Sequence, residues 1–306
     1  MTQAHPSGTP ESARASERPT ALVRFESTPH RYIDVGHSKV AAWRYGQGPH
    51  LLFVHGWPLH SATYRGLLPH LARSFTCHLI DFPGCGATLW DENSKVGVVP
   101  HAQTIRQVIE ELALPELGIV SHDSGAAIAR LVAADNPRVK ALVFGNTEIP
   151  GHHSPLMLML FATAKLPGGL ALFSKLIRSR AFRRAVFGYG GCFHDRSLLD
   201  GEFFELLVKP LLDDPRALQG QLRLLQGISL SAFDALAKIH PKISAPTLLI
   251  WGEGDPFFPV SRVPAMLPQF GGGAELRVLD RSKLLVHEER APEFAALAAQ
   301  FFARYL

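Results

Sequence analysis

Three short segments carry residues whose types and spacing could do chemistry. Ser121-His122-Asp123-Ser124-Gly125 follows an apolar run and opens a helix carrying Ile128, Leu131 and Val132. It has the form small-x-nucleophile-x-small, in which a sharp strand-to-helix turn pushes one side chain forward and requires small residues two before and two after it. Ser121 and Gly125 meet that requirement only with Asp123 at the apex, because an apex at Ser124 would need a small residue where His122 stands. Asp is also a favoured helix N-cap, so on this segment alone the nucleophile and cap readings are balanced. His55-Gly56-Trp57-Pro58 also follows an apolar run. Its glycine would let the backbone approach a ligand with peptide N–H groups aimed at it, or would serve an ordinary turn. Gly252-Glu253-Gly254-Asp255-Pro256-Phe257-Phe258-Pro259 offers Asp255, an acid placed to orient a histidine, though Asp-Pro also opens turns.

The elements that must hold these segments are short. Arg31–Val35 and Val40–Tyr45 flank Gly36-His37-Ser38 as a hairpin. The runs Leu51–Val54, Thr76–Ile80, Leu117–Val120, Ala141–Phe144, Thr247–Trp251 and Leu276–Leu279 read as strands, mostly buried on both faces, alternating with helices. That alternation predicts an α/β fold with a mainly parallel sheet, whose ligands bind at the carboxyl ends of the strands. Between Phe144 and Thr247 the pattern turns helical, over Leu156–Ala164, Leu170–Phe187, Phe203–Leu211 and Pro215–Leu225. The expected organisation is a core from 21–150 and 241–306, a helical cap over 151–240 and a disordered tail over 1–20.

Composition excludes several classes. With 306 residues, 46% hydrophobic and 19% charged, the chain can bury a large core and is not disordered throughout. No apolar run approaches a membrane span, and the N-terminus lacks the apolar segment of a secretory signal. The net charge of +4 is spread out except for Arg178, Arg180, Arg183 and Arg184, which read as a solvated helix face rather than a nucleic-acid surface. Cys77, Cys85 and Cys192 lack metal-ligand spacing, which points to a reduced, cytoplasmic chain without disulfides.

His55-Gly56-Trp57-Pro58, Asp81-Phe82-Pro83-Gly84-Cys85-Gly86, Ser121-His122-Asp123-Ser124-Gly125 and Trp251-Gly252-Glu253-Gly254-Asp255 come in the order seen in α/β-hydrolases. The chain resembles their aspartate-nucleophile branch of haloalkane dehalogenases, epoxide hydrolases and fluoroacetate dehalogenases, over residues 25–150 and 240–306. The resemblance implies an α/β-hydrolase fold, a mainly parallel sheet flanked by helices, with the helical cap inserted. It implies that Asp123 attacks carbon to form an ester, which a histidine oriented by Asp255 then hydrolyses. Trp57 and Ser124 would supply the oxyanion-hole amides. Glu148, after the Ala141–Phe144 strand, is a second acid candidate, its alternative being a solvated loop carboxylate.

The family's histidine stands in a form like Gly-His-Phe-x-His-Glu-Glu-Arg-Pro, whereas this chain reads Ser282-Lys283-Leu284-Leu285-Val286-His287-Glu288-Glu289-Arg290. Aligning His287-Glu288-Glu289-Arg290 puts Leu284 where the base is expected, and leucine cannot activate water. His287 could act as a displaced base or simply be fixed at the start of the last helix. A cap-side His152, His153 or His194 could substitute, or hydrolysis could be lost. Ser124 stands where many dehalogenases have a halide-cradling tryptophan and fluoroacetate dehalogenases have arginine. Trp57 replaces an asparagine, although its indole N–H could still donate. Tyr189 is the one tyrosine of the inserted region available to protonate an epoxide oxygen.

The expected site is a pocket between core and cap lined by His55, Trp57, Phe82, Met157, Tyr189, Phe258 and Leu284. It would take a small neutral apolar molecule, with no cofactor, no metal, no nucleic-acid partner and no membrane partner. The alternative is a non-hydrolytic member acting as a ligand-binding protein or a base-independent catalyst.

Overall fold

The computed structural model describes residues 23–306, so the tail expected over 1–20 lies outside the described residues. Eight strands form one sheet: β1 (Arg31–Asp34), β2 (Lys39–Tyr45), β3 (His50–Val54), β4 (Thr76–Ile80), β5 (Leu117–Ser121), β6 (Val139–Phe144), β7 (Thr247–Gly252) and β8 (Ala274–Leu279). Their order is β1-β2-β4-β3-β5-β6-β7-β8. The first two strands pair antiparallel, as do β2 and β4, and every later pairing is parallel. The expected mainly parallel sheet is present, and each expected strand is matched to within one or two residues.

Alternation along the strands explains the layering. In β3, Leu51 and Phe53 enter one core with Trp43, Tyr64 and Phe294, while Leu52 and Val54 enter the other with Ile105, Ile128 and Phe144. A strand covered on both faces needs apolar residues at every position, which is why it reads as a continuous run. Around the sheet lie α1 (Leu68–Leu71), α2 (Val98–Glu111), α3 (Asp123–Ala133) and, at the end of the chain, α11 (Val286–Glu289) and α12 (Ala291–Phe302).

Between β6 and β7 the described residues contain helices and no strand: α4 (Pro155–Lys165), α5 (Gly169–Arg178), α6 (Arg180–Arg184), α7 (Lys209–Asp213), α8 (Pro215–Gly227), α9 (Leu230–Asp234) and α10 (Leu236–Ile239). Two of them differ from the sequence expectation. The helix expected over Leu170–Phe187 breaks at Ser179, which is extended and caps α6 by accepting a hydrogen bond from the Phe182 N–H. The helix expected over Phe203–Leu211 widens into a π turn over Phe204–Val208 ahead of Pro210. A proline inside a helix cannot donate to the carbonyl four residues earlier. That carbonyl, on Leu206, instead lies 2.9 Å from Nε2 of His60, tying the insertion to the loop after β3.

The register places the site. Val54 at the end of β3 pairs with Ser121 at the end of β5, and Ser121 pairs in turn with Phe144 at the end of β6. The loops that follow these strands therefore emerge side by side. A β-carbon on Gly125 would sit 2.4 Å from the His55 carbonyl oxygen, and one on Gly56 would sit 2.7 Å from the Asp123 side chain. Gly125→Ala should consequently lower the unfolding free energy by about 1–3 kcal/mol, the usual cost of overpacking. A urea midpoint equal to that of the parent chain would show that the two turns are not in the contact described.

Candidate active site

Asp123 adopts φ +48°, in the left-handed region that non-glycine residues rarely occupy. It is the first residue of α3, and its backbone N–H donates to the Asn146 carbonyl across 2.7 Å. Its carboxylate does not cap the helix from outside; Oδ2 receives the Trp57 backbone N–H at 3.0 Å and the Ser124 hydroxyl at 3.1 Å. The Trp57 N–H is also 3.0 Å from Ser124 Oγ, so one amide serves both. The Asp123 carbonyl accepts from the Thr147 hydroxyl at 3.0 Å.

Two further buried acids stand near it. Asp255 accepts from Asn146 Nδ2 at 2.7 Å and from the Phe257 N–H at 2.7 Å. Glu148 Oε2 lies 2.8 Å from the same Thr147 hydroxyl, whose single hydrogen it and the Asp123 carbonyl share. Burial favours the neutral form of a carboxylic acid. It raises Asp123 to about 6 against the lowering effect of the Ser124 and Trp57 hydrogen bonds. It raises Asp255 to about 7. Burial, then repulsion from Asp123, raises Glu148 to about 8, with Arg130 pulling the other way. Asp123 and Glu148 form an interacting pair, in which Asp123 ionises first and Glu148 keeps its proton.

A cavity of about 870 Å³, its open mouth included, lies above Asp123. Trp57, Met157, Tyr189, Phe258 and Leu284, expected to line the pocket, do so, and so do Ser124 and Glu148, the latter therefore not a solvated loop carboxylate. His55 and Phe82 do not line it. The fully buried His55 ring turns away, its Nε2 accepting the Phe82 N–H at 3.1 Å, and Phe82 stacks on His101 at 4.3 Å between ring centres. Asp255 lies behind the lining, and its hydrogen bonds come from the loops after β6 and β7.

No histidine lines the cavity among the described residues. His287 is buried elsewhere, with Nε2 2.8 Å from Thr63 Oγ1 and its ring 4.1 Å from that of His122. Burial lowers it to about 3, so it is neutral, and it is held by the fold outside the cavity lining. His153 pairs with Asp234, and His194 is exposed. The Trp57 indole does not project a free N–H into the cavity, since Nε1 donates to the Gln221 carbonyl of α8 at 2.9 Å. Arg183, expected on a solvated face, lines the cavity instead and donates to the Ile177 carbonyl at 2.7 Å.

Two positioning residues were not singled out in the sequence. Asn146 is fully buried, and it accepts the Gly252 N–H through Oδ1 at 2.7 Å while donating to Asp255. It thereby locks the ends of β5, β6 and β7 together. Arg130 is fully buried in α3 and donates to the Glu148 carbonyl at 2.9 Å, with its guanidinium 5.4 Å from the Phe144 ring centre. The available signal was a polar residue just past an apolar strand and an arginine inside an apolar helix.

A family model described as alpha/beta hydrolase fold matches residues 49–187. The chain is 26% identical to the magnesium-chelatase 30 kDa subunit of Rhodobacter capsulatus, over 80% of this chain and 83% of that one. It is 27% identical to a haloalkane dehalogenase of Mycobacterium marinum, over 89% of each. The solved structure of the epoxide hydrolase CorEH without ligand matches with a TM-score of 0.75 at 19% identity, over 90% of this chain and 98% of that one. The chain has the α/β-hydrolase fold. Its relatives include haloalkane dehalogenases, epoxide hydrolases and other hydrolases, all at low identity.

The raised Glu148 acid has a measurable consequence. Its folded pKa lies above its unfolded value, so the folded state keeps a proton that the unfolded chain releases between about pH 4.5 and 8. Stability is favoured below that window and declines across it. Glu148→Gln keeps an acceptor for Thr147 and removes the titration. The variant should gain stability relative to the parent as pH rises from 5 to 8, read from denaturation midpoints. A difference that stays constant with pH would contradict the assignment.

Proposed function

We propose that this chain is an aspartate-nucleophile α/β-hydrolase-type protein acting on a small neutral apolar electrophile, with Leu284 in place of the histidine that would hydrolyse the ester. The observation that carries this reading is Asp123 at φ +48° beneath an apolar cavity, with Oδ2 hydrogen-bonded to the Trp57 amide and Leu284 on the cavity wall. Oδ1 attacks carbon and forms the ester bond, while Oδ2, already facing its donors, becomes the ester carbonyl oxygen.

An epoxide suits the cavity better than a haloalkane. A departing halide finds neither a tryptophan after the nucleophile nor a free Trp57 indole, since that N–H is bonded to Gln221. Opening an epoxide breaks its C–O bond and leaves an alkoxide that needs a proton. Protonated Glu148 on the cavity wall can supply it, with the hydroxy-ester as product. Ring opening requires ionised Asp123 and protonated Glu148, so its rate should rise with pH through about 6 and fall again through about 8.

The water step has no base in the cavity. The same feature supports a second reading, a non-hydrolytic member that binds a ligand or works without a base. Leu284→His tests both, because an imidazole there would stand near Asp123 and Asp255. With a small aryl epoxide the parent chain should consume no more than about one epoxide equivalent per chain, held as the hydroxy-ester, and Asp123→Asn none. Leu284→His should convert this to sustained turnover, with a gain of ~10²–10⁴-fold in ester hydrolysis. Multiple turnovers by the parent would overturn the missing-base reading. Absence of any reaction in parent and variant alike would favour the ligand-binding protein.

A further inference from the structure

Residues 149–194 contain six basic side chains, Lys165, Lys175, Arg178, Arg180, Arg183 and Arg184, and no acidic one. The same stretch holds Leu158, Met159, Leu166, Leu172, Val186 and Phe187, six of the twelve exposed large hydrophobic residues among the described residues. They are not scattered. On α4 the exposed positions are Pro155, Leu158, Met159, Ala162 and Lys165, with Leu166 just beyond it, an outward stripe at helical spacing that is apolar but for the lysine. On α5, which packs against α4, the exposed positions are Ala171, Leu172, Lys175 and Arg178. Among the described residues no ion pair involves Lys165, Lys175 or Arg178.

A helix that is apolar all round belongs inside a protein or against another apolar phase. Its inner side is accounted for here: Met157, Leu160 and Phe161 of α4 line the cavity, as do Phe173 and Ile177 of α5. Among the described residues nothing lies over the outer side. We propose that this face docks on an anionic lipid surface, its leucines and methionine entering the acyl boundary and its cations meeting the headgroups. Apolar residues flanked by lysine and arginine are the composition that such an interface selects. A second copy of the chain is a poorer occupant, because a two-fold contact sets each patch against itself and brings cation against cation. The sequence expectation of a solvated helix face, with no membrane partner, treated the arginines without the apolar stripe beside them. Docking would also bring the cavity, whose wall includes the half-exposed Phe187, to the phase in which small apolar molecules concentrate.

Flotation of the full chain with vesicles of phosphatidylcholine, alone or mixed with phosphatidylserine, tests this. Binding should be strong to the mixed vesicles, weak to the neutral ones, and reduced by salt. Lys175→Gln should weaken it about fivefold, the effect of one lysine at an anionic surface. Met159→Glu should abolish it while leaving the far-ultraviolet dichroism and denaturation midpoint unchanged, since that side chain is half exposed. Failure to float with mixed vesicles would overturn the proposal, as would equal binding to both vesicle types. A concentration-dependent dimer in sedimentation, removed by Met159→Glu and unaccompanied by vesicle binding, would assign the face to a second copy instead.

Discussion

The site rests on the contact between two backbone turns, one after β3 and one after β5. They approach so closely that neither Gly56 nor Gly125 has room for a β-carbon. That contact brings the Trp57 amide to the Asp123 carboxylate and supports the left-handed backbone at Asp123. Such a conformation typically costs ~1–3 kcal/mol and persists where surrounding structure over-determines it. Here the surroundings include the Asn146 carbonyl on the Asp123 N–H and the Thr147 hydroxyl on its carbonyl. Parallel pairing of β3, β5 and β6 supplies the rest, because it ends the three strands together and sends their loops to one place.

The electrostatics follow from what this arrangement leaves out. Three carboxyl groups are buried close together, and the nearest buried cation, Arg130, contacts the Glu148 backbone carbonyl rather than its side chain. Burial therefore dominates, and all three acids are harder to ionise than in water. An imidazolium between Asp123 and Asp255 would reverse that trend. With Leu284 there, the acids share protons among themselves, and in the proposed reaction this favours attack by one ionised aspartate beside a neutral acid and gives no help to an incoming water.

Much of the fold was legible because its signals are local. Strands covered on both faces need near-continuous apolar runs, and Leu51–Val54 was bounded to within one residue for that reason. The turn at Asp123 was legible because its requirement for small neighbours is steric and falls on positions two before and two after. What failed was direction and long-range pairing. His55 adjoins a loop of the site, but its ring bonds to the Phe82 N–H on the other side. The Trp57 indole is claimed by a carbonyl on α8, far along the chain. Asn146 and Arg130 act through partners that only the folded chain brings near. The outward stripe of α4 was hidden because a helix apolar on every face gives no period from which to read an exposed side.

The central claim is that Asp123 is a carbon-directed nucleophile whose ester outlives the reaction that forms it. Peptide mass spectrometry after exposure to a reactive small epoxide, followed by removal of the excess, tests it directly. The account predicts one hydroxyalkyl group per chain, located on Asp123 and persisting through hours at neutral pH. Cys192 is another nucleophilic side chain lining the cavity, with its thiol held protonated by burial. Modification confined to Cys192, with Asp123 recovered unchanged, would contradict the account.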